Sequence, residues 1–244
     1  MRPTSRWVVS GSIAAAAITW LAAAELRWPA RAALVLLLAG LPAGVLGQSA
    51  AAADVPGRVP RSALYLASAA ALWLLAALTT GAALAAGFTT RTLGLLLPPP
   101  LSLAGWTGGA IGAGLAVLAI GRALRVRESE LLGYILPRTR SERLTFAALA
   151  LSAGIGEELV FRGFLVPALA RAMGAIVPAA LLAAAVFGML HAYQGTPGTV
   201  RAAVLGLVLT LPFVLSGSLL PSILAHTAID VIAGLWLAPW LLRR

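Results

Sequence analysis

Glu157, Glu158 and Arg162 lie on one apolar stretch, Phe187 and His191 on the next, and His226 and Asp230 on the last of the chain. These groups hold both histidines and three of the eight acidic residues. Ionisable side chains are costly at membrane depth, so a hydrophobic chain that keeps them inside apolar segments is using them. A carboxylate beside an imidazole can take a proton from water and hand it on. The same residue types can also ligate a metal or relay protons.

Local geometry divides the work. Glu158 and Arg162 are four apart, share a helix face and can form an ion pair. At 3.6 residues per turn Glu157 is turned from Glu158 by about 100°. Glu158 with Arg162 therefore reads as structural support. Glu157 has no partner on its own helix, and a carboxylate left alone in a low-dielectric site favours taking up a proton, as general base work requires. The bland alternative is that both glutamates only form a buried salt-bridge cluster. With a turn near Met173 and Gly174, Glu157 sits about 16 residues before it and His191 about 18 after, which gives them similar depth in antiparallel helices. Glu157 and His191 can then face one another, although a lone histidine near a helix end also reads as a hydrogen-bonded core residue. His226 and Asp230, again four apart, share a face on which the carboxylate can orient the imidazole or share a ligand with it. Only about eight residues separate His226 from a turn near Gly217, which leaves it shallower by roughly 12 Å. Either that turn is recessed, as Pro212, Gly217 and Pro221 allow, or the groups do not meet. Irregular backbone at that depth has to line protein or a water-filled cavity.

The elements that must position these residues are membrane helices. Hydrophobic residues make up 60% of the 244-residue chain, charged residues 11%, and mean hydropathy is +0.94. A window of about 19 residues marks eight apolar stretches, at 7–24, 32–50, 62–86, 101–121, 145–168, 175–193, 200–216 and 221–241. The predicted fold is all-α, a polytopic bundle of about eight transmembrane helices. The second stretch is interrupted by Pro42, Gly44, Gly47 and Gln48, and the seventh is short with Pro212 inside it, so seven is the alternative count. Arg2 and Arg6 precede an apolar run too long for a secretory signal, which reads as an uncleaved first span. A four-span half (1–121), a connection (122–144) and a four-span half holding the chemistry (145–244) make one membrane domain.

Every cation is an arginine, and the net charge is +10. With the N-terminus in the cytoplasm, Arg2, Arg6, Arg58, Arg61, Arg122, Arg125, Arg127, Arg138, Arg140, Arg143, Arg201, Arg243 and Arg244 fall inside. Arg27, Arg31, Arg91 and Arg171 fall outside. Both termini are therefore expected in the cytoplasm. Arginines at span ends anchor to anionic headgroups, which argues against nucleic acid as partner. The connection carries Glu128, Glu130 and Glu142 among its arginines, with Leu131, Leu132, Tyr134, Ile135 and Leu136 between, and predicts a short interfacial helix. A substrate-guiding role for it is the second reading. Pro56 with Pro60 and Pro98–Pro100 mark connections. Gly105, Gly108, Gly109 and Gly112 are spaced for close helix packing in lipid rather than for phosphate binding. The chain has no cysteine, which removes disulfides, thiolate ligands and a thiol nucleophile.

The order Glu-Glu-x-x-x-Arg, Phe-x-x-x-His and His-x-x-x-Asp, with Phe161-Arg162-Gly163 and Phe187-Gly188 around it, resembles the CPBP family of intramembrane proteases. That family includes the CAAX prenyl endopeptidase and bacterial relatives linked to bacteriocin processing or immunity. The likeness covers Ser152 to Asp230. It implies peptide-bond hydrolysis within the membrane, Glu157 and His191 activating a water, and His226 with residue 230 stabilising the oxyanion. Glu158, Arg162 and Phe187 would support them. Asp230 departs from the Asn that many members carry, and an ionised Asp cannot donate. It is then a protonated donor, an orienting acceptor for His226, or a metal ligand with Glu157, His191 and His226. Two histidines and a carboxylate can hold Zn²⁺ with a water in the open position. No His-Glu-x-x-His is present, and a metal-free glutamate mechanism, with no cofactor required, is the favoured reading.

Two other classes compete with a protease. Intramembrane Glu, His and Asp also build proton-coupled transporters, but the two halves show no matching repeat. A non-hydrolytic scaffold or bacteriocin immunity protein is the other alternative. An Arg-only, Ala-rich chain fits a bacterial plasma membrane, with the bilayer and a hydrophobic or membrane-associated peptide as partners.

Overall fold

The computed structural model describes residues 3–49, 59–126, 129–238 and 240. Arg2, Pro56, Arg58, Arg127, Glu128, Arg243 and Arg244, used above for topology and connections, lie outside the described residues. No strand occurs among the described residues. The helices are α1 (Pro3–Ala22), α2 (Trp28–Val35), α3 (Leu41–Ser49), α4 (Arg61–Ala85), α5 (Pro100–Ala123), α6 (Glu130–Ile135), α7 (Arg140–Glu158), α8 (Val166–Met173), α9 (Ile176–Leu190), α10 (Gly195–Ser216) and α11 (Leu220–Ile232). The chain is an all-α, multi-pass membrane protein. Among the described residues, six helical stretches are long and apolar enough to cross a membrane: Trp28–Leu46, Arg61–Ala85, Pro100–Ala123, Arg140–Met173, Ala192–Ser216 and Leu220–Leu237. Two shorter apolar helices, Val8–Ala22 and Ile176–Leu190, correspond to the remaining two stretches read from the sequence.

Departures from the sequence reading have local causes. The second stretch does not break: α2 runs through a π-helical turn, Leu36–Gly40, into α3. Pro42 has no N–H to give the preceding turn, and the wider register ahead of it accommodates that loss. The seventh stretch is not short. Gly195 and Pro197 read as the break, yet α10 starts at Gly195, because proline is tolerated in a first turn. The chain breaks earlier, in the 3₁₀ turn Ala192–Gln194 that follows His191. The close packing expected of Gly105, Gly108, Gly109 and Gly112 is not made among the described residues, none of which lies within 4 Å of where their Cβ atoms would stand. Gly114, on the buried face of α5 with Ala110 and Leu118, receives Ile229 of α11 instead.

Three features set the frame of the site. A capping box starts α7: Glu142 N donates to Thr139 Oγ1 (3.2 Å), and Thr139 N donates to Glu142 Oε2 (3.0 Å). A π-helical segment, Leu159–Leu165, then carries α7 into α8, and Gly174 at φ +70° turns the chain into α9. The third feature resolves the depth mismatch. The turn after α10 is recessed: Ser218 and Leu219 are each 1% exposed. The connection between α4 and α5 covers it, with Leu219 N donating to the Gly94 carbonyl (2.8 Å) and Ser218 Oγ to the Leu96 carbonyl (2.6 Å). Protein thus pairs the irregular backbone, as an apolar surround requires. Gly94, at φ +69°, lies so close to Phe213 and Leu219 that a side chain there would collide.

Candidate active site

The recess brings α11 level with the end of α7. Both helices approach closely at Gly154, where a Cβ would run into Thr227 Oγ1 and stand 3.0 Å from the Ile223 carbonyl. One turn further on, Glu158 meets His226. Glu158 is 0% exposed, and its Oε1 accepts from Arg162 NH1 (2.6 Å) and from His226 Nδ1 (2.8 Å). The sequence reading gave Glu158 one partner, Arg162. In the structure it also holds the imidazole of His226 on α11, 68 residues along the chain.

Arg162, 1% exposed, ties the π-helical segment to α10. Its NH2 donates to the Gly206 carbonyl (2.7 Å) and its Nε to Thr210 Oγ1 (3.3 Å). Its guanidinium lies 5.0 Å from the centre of the Phe187 ring. Phe187 in turn stacks edge-on against Phe161 (4.9 Å between centroids) and packs on His191 (4.6 Å) and His226 (6.2 Å). This ring therefore sits between the two histidines and the buried ion pair.

Glu157 points the other way, into a cavity of about 980 Å³. His191, His226 and Asp230 line the same cavity. His226 Nε2 lies 3.8 Å from Glu157 Oε2 and 3.6 Å from Asp230 Oδ2. These separations exceed a direct hydrogen bond and suit a small group held between them. Glu157 Oε2 has no hydrogen-bond partner among the described residues. His191 Nδ1 lies 2.8 Å from the Phe187 carbonyl. A carbonyl only accepts, so Nδ1 carries the proton and the neutral ring keeps its lone pair on Nε2. No hydrogen bond or ion pair joins His191 to Glu157 directly among the described residues; they share a cavity. His226 is held in the same way, through Nδ1. Its Nδ1 donates to a carboxylate, and in the imidazolium form its Nε2 is a donor facing the cavity.

Among the described residues no group of three or more His, Asp or Glu has a geometry that could hold a metal ion. No step below is routed through a metal.

Most of the cavity wall is apolar, and both parts of the chain build it. Leu64, Ser68, Leu72 and Leu75 of α4 and Leu118 of α5 contribute, with Leu131, Leu132 and Ile135 of α6. Sequence spacing does not point to three further polar lining residues, Tyr193, Gln194 and Arg201. Gln194 Nε2 donates to Tyr193 Oη (3.1 Å), and Arg201 NH2 donates to Gln194 Oε1 (3.2 Å). Their signal is adjacency, because two polar residues close behind His191 mark the helix break as part of the site.

A family model described as Type II CAAX prenyl endopeptidase Rce1-like matches residues 139–232. The match runs from the Thr139 cap of α7 to the end of α11 and contains all seven residues singled out above. No curated protein and no solved structure matches the chain.

Proposed function

We propose, from the match of residues 139–232 to the type II CAAX prenyl endopeptidase Rce1-like model, that the chain is an intramembrane endopeptidase that cuts hydrophobic or membrane-associated peptides with a Glu157-activated water. One observation carries this reading. A single imidazole, His226, is held by Glu158 through Nδ1 and presents Nε2 to a cavity between Glu157 and Asp230. A pure salt-bridge cluster would not need a second carboxylate, Glu157, lining the cavity beside that imidazole.

In the proposed reaction a water rests between Glu157 and His191 Nε2, two acceptors that orient its lone pair toward a peptide carbonyl. Glu157 takes one proton as the water oxygen bonds to the carbonyl carbon. The carbonyl oxygen becomes an oxyanion and receives a hydrogen bond from His226 Nε2–H. Asp230 flanks that nitrogen and orients it. Glu157 then passes its proton to the leaving nitrogen as the C–N bond breaks. A positioned general base contributes about 10²–10⁴ in rate and an oxyanion donor about 10²–10³. Glu158 and Arg162 act through His226 and are positioning residues. The apolar wall supports a hydrophobic peptide as substrate, and the arginine-only composition supports a bacterial plasma membrane as its location.

The reaction as written needs no metal. Purified protein in lipid is expected to cleave members of a quenched hydrophobic peptide library at the same rate before and after EDTA treatment. Cleavage that disappears with EDTA and returns with Zn²⁺ would overturn the metal-free mechanism, and a broad library left uncut would overturn the protease reading.

A further inference from the structure

The helix break behind His191 holds a chain of hydrogen bonds with a fixed direction. Gln194 stands just ahead of α10 and shares a helix face with Gly198 and Arg201, four and seven residues on. Its backbone closes the 3₁₀ turn, Gln194 N donating to the His191 carbonyl (2.9 Å). Glycine at 198 makes room for its side chain, since a Cβ there would collide with Gln194 Cβ. Arg201 NH2 then reaches Gln194 Oε1 (3.2 Å), and Gln194 Nε2 reaches Tyr193 Oη (3.1 Å). Chemistry sets the order. A guanidinium only donates, so the amide turns Oε1 to Arg201 and Nε2 to Tyr193. That Nε2 also only donates, so Tyr193 Oη is the acceptor and its own O–H points elsewhere. Each bond in such a chain polarises the next, and a phenol that accepts on one side donates better on the other. Tyr193 lines the cavity with Glu157, and its ring centre lies 5.9 Å from that of His191. It is 47% exposed, open to a ligand there.

An apolar peptide brings one kind of acceptor into this cavity, its backbone carbonyls. Each must find a donor or be buried at a cost, and the wall is mostly apolar. We infer that Tyr193 is a substrate-binding residue whose O–H donates to a backbone carbonyl flanking the scissile bond, and that Gln194 and Arg201 are positioning residues that aim it. This rests on the protease reading, in which His226 serves the scissile carbonyl itself. Tyr193 is assigned to a neighbouring carbonyl because its ring packs on His191, the residue that holds the water in that reaction. A flanking carbonyl keeps its charge through the reaction, so the bond is equally strong before and in the transition state and acts on binding.

Tyr193→Phe keeps the ring on His191 and removes the donor alone. In a Glu157→Gln background in nanodiscs, it is expected to raise the Kd of a fluorescent peptide from the hydrophobic library about 3–10-fold, the worth of one neutral hydrogen bond. Gln194→Glu tests the direction of the chain. The new carboxylate accepts from Arg201 and from the phenol, so the O–H turns away from the peptide and Kd should rise by a similar factor. The double variant Tyr193→Phe/Gln194→Glu should lose no more than Tyr193→Phe. A purely structural role predicts the opposite, because an ion pair to Arg201 would firm the turn and leave binding intact. In protein that keeps Glu157, Tyr193→Phe should raise KM by the same factor with kcat within about twofold. Either single variant binding as tightly as its parent would overturn the inference. So would a loss confined to kcat, which would assign the phenol to the reacting groups. If wild-type protein binds the peptide without cutting it, the protease reading fails, while the Kd series still decides whether Tyr193 holds a peptide carbonyl.

Discussion

Glu157→Gln is expected to lower peptide cleavage by about 10²–10⁴ while leaving the fold intact. The amide keeps the shape of the carboxylate but cannot take the proton of the attacking water. Stability should hold because Glu157 Oε2 bonds nothing among the described residues and the side chain faces the cavity, 15% exposed. Glu158→Gln is the informative neighbour. Its amide oxygen can still accept from Arg162 and His226, so cleavage should fall less, and mainly through kcat as His226 loses its fixed orientation. A thermal midpoint in lipid that holds in Glu157→Gln and falls in Glu158→Gln, where buried Arg162 loses its counter-charge, together with the larger rate loss in Glu157→Gln, would support the division of labour. Equal losses in the two variants, or a Glu157→Gln protein that cuts like wild type, would contradict it.

Arg162→Leu is expected to be the most destabilising single change at the site. It strips Glu158 of its cation in a fully buried place and removes donors from Gly206 and Thr210. Breaking a buried pair from one side typically costs about 3–5 kcal/mol, because the surviving charge has no compensation. Thr210 Oγ1 also donates to the Gly206 carbonyl (2.7 Å) and will retain that one bond. Arg162→Lys should recover only part of the loss, since an ammonium cannot reach Glu158, Gly206 and Thr210 with one planar fork. Tryptophan fluorescence during heating in nanodiscs gives the midpoints. A leucine variant as stable as wild type would show that the pair is not structural.

Much of the bundle was legible because lipid permits few backbones: every apolar stretch became a helix, and the i,i+4 spacing of Glu158 and Arg162 became an ion pair. The 100° step between Glu157 and Glu158 separated a cavity-facing from a buried carboxylate. What stayed hidden depends on distance in the chain. The recess beneath Gly94 needs Phe213 and Leu219 from more than a hundred residues away, and without it His226 counts as too shallow. The bond from Glu158 to His226 spans 68 residues and has no local signature. The π-helical segment after Glu158 breaks the 3.6-residue count that placed the neighbouring side chains. Helix α4 looked featureless, since an apolar stripe facing a cavity and one facing lipid read alike.

The most direct measurement is peptide cleavage in ¹⁸O water with mass spectrometry of the products. Purified protein in lipid should yield defined new termini, with one ¹⁸O in each new carboxyl group and none in the Glu157→Gln reaction. Peptide that stays whole, whether bound to the protein or carried with protons into liposomes, would contradict hydrolysis and assign the Glu157, His191, His226 and Asp230 cavity to binding or transport.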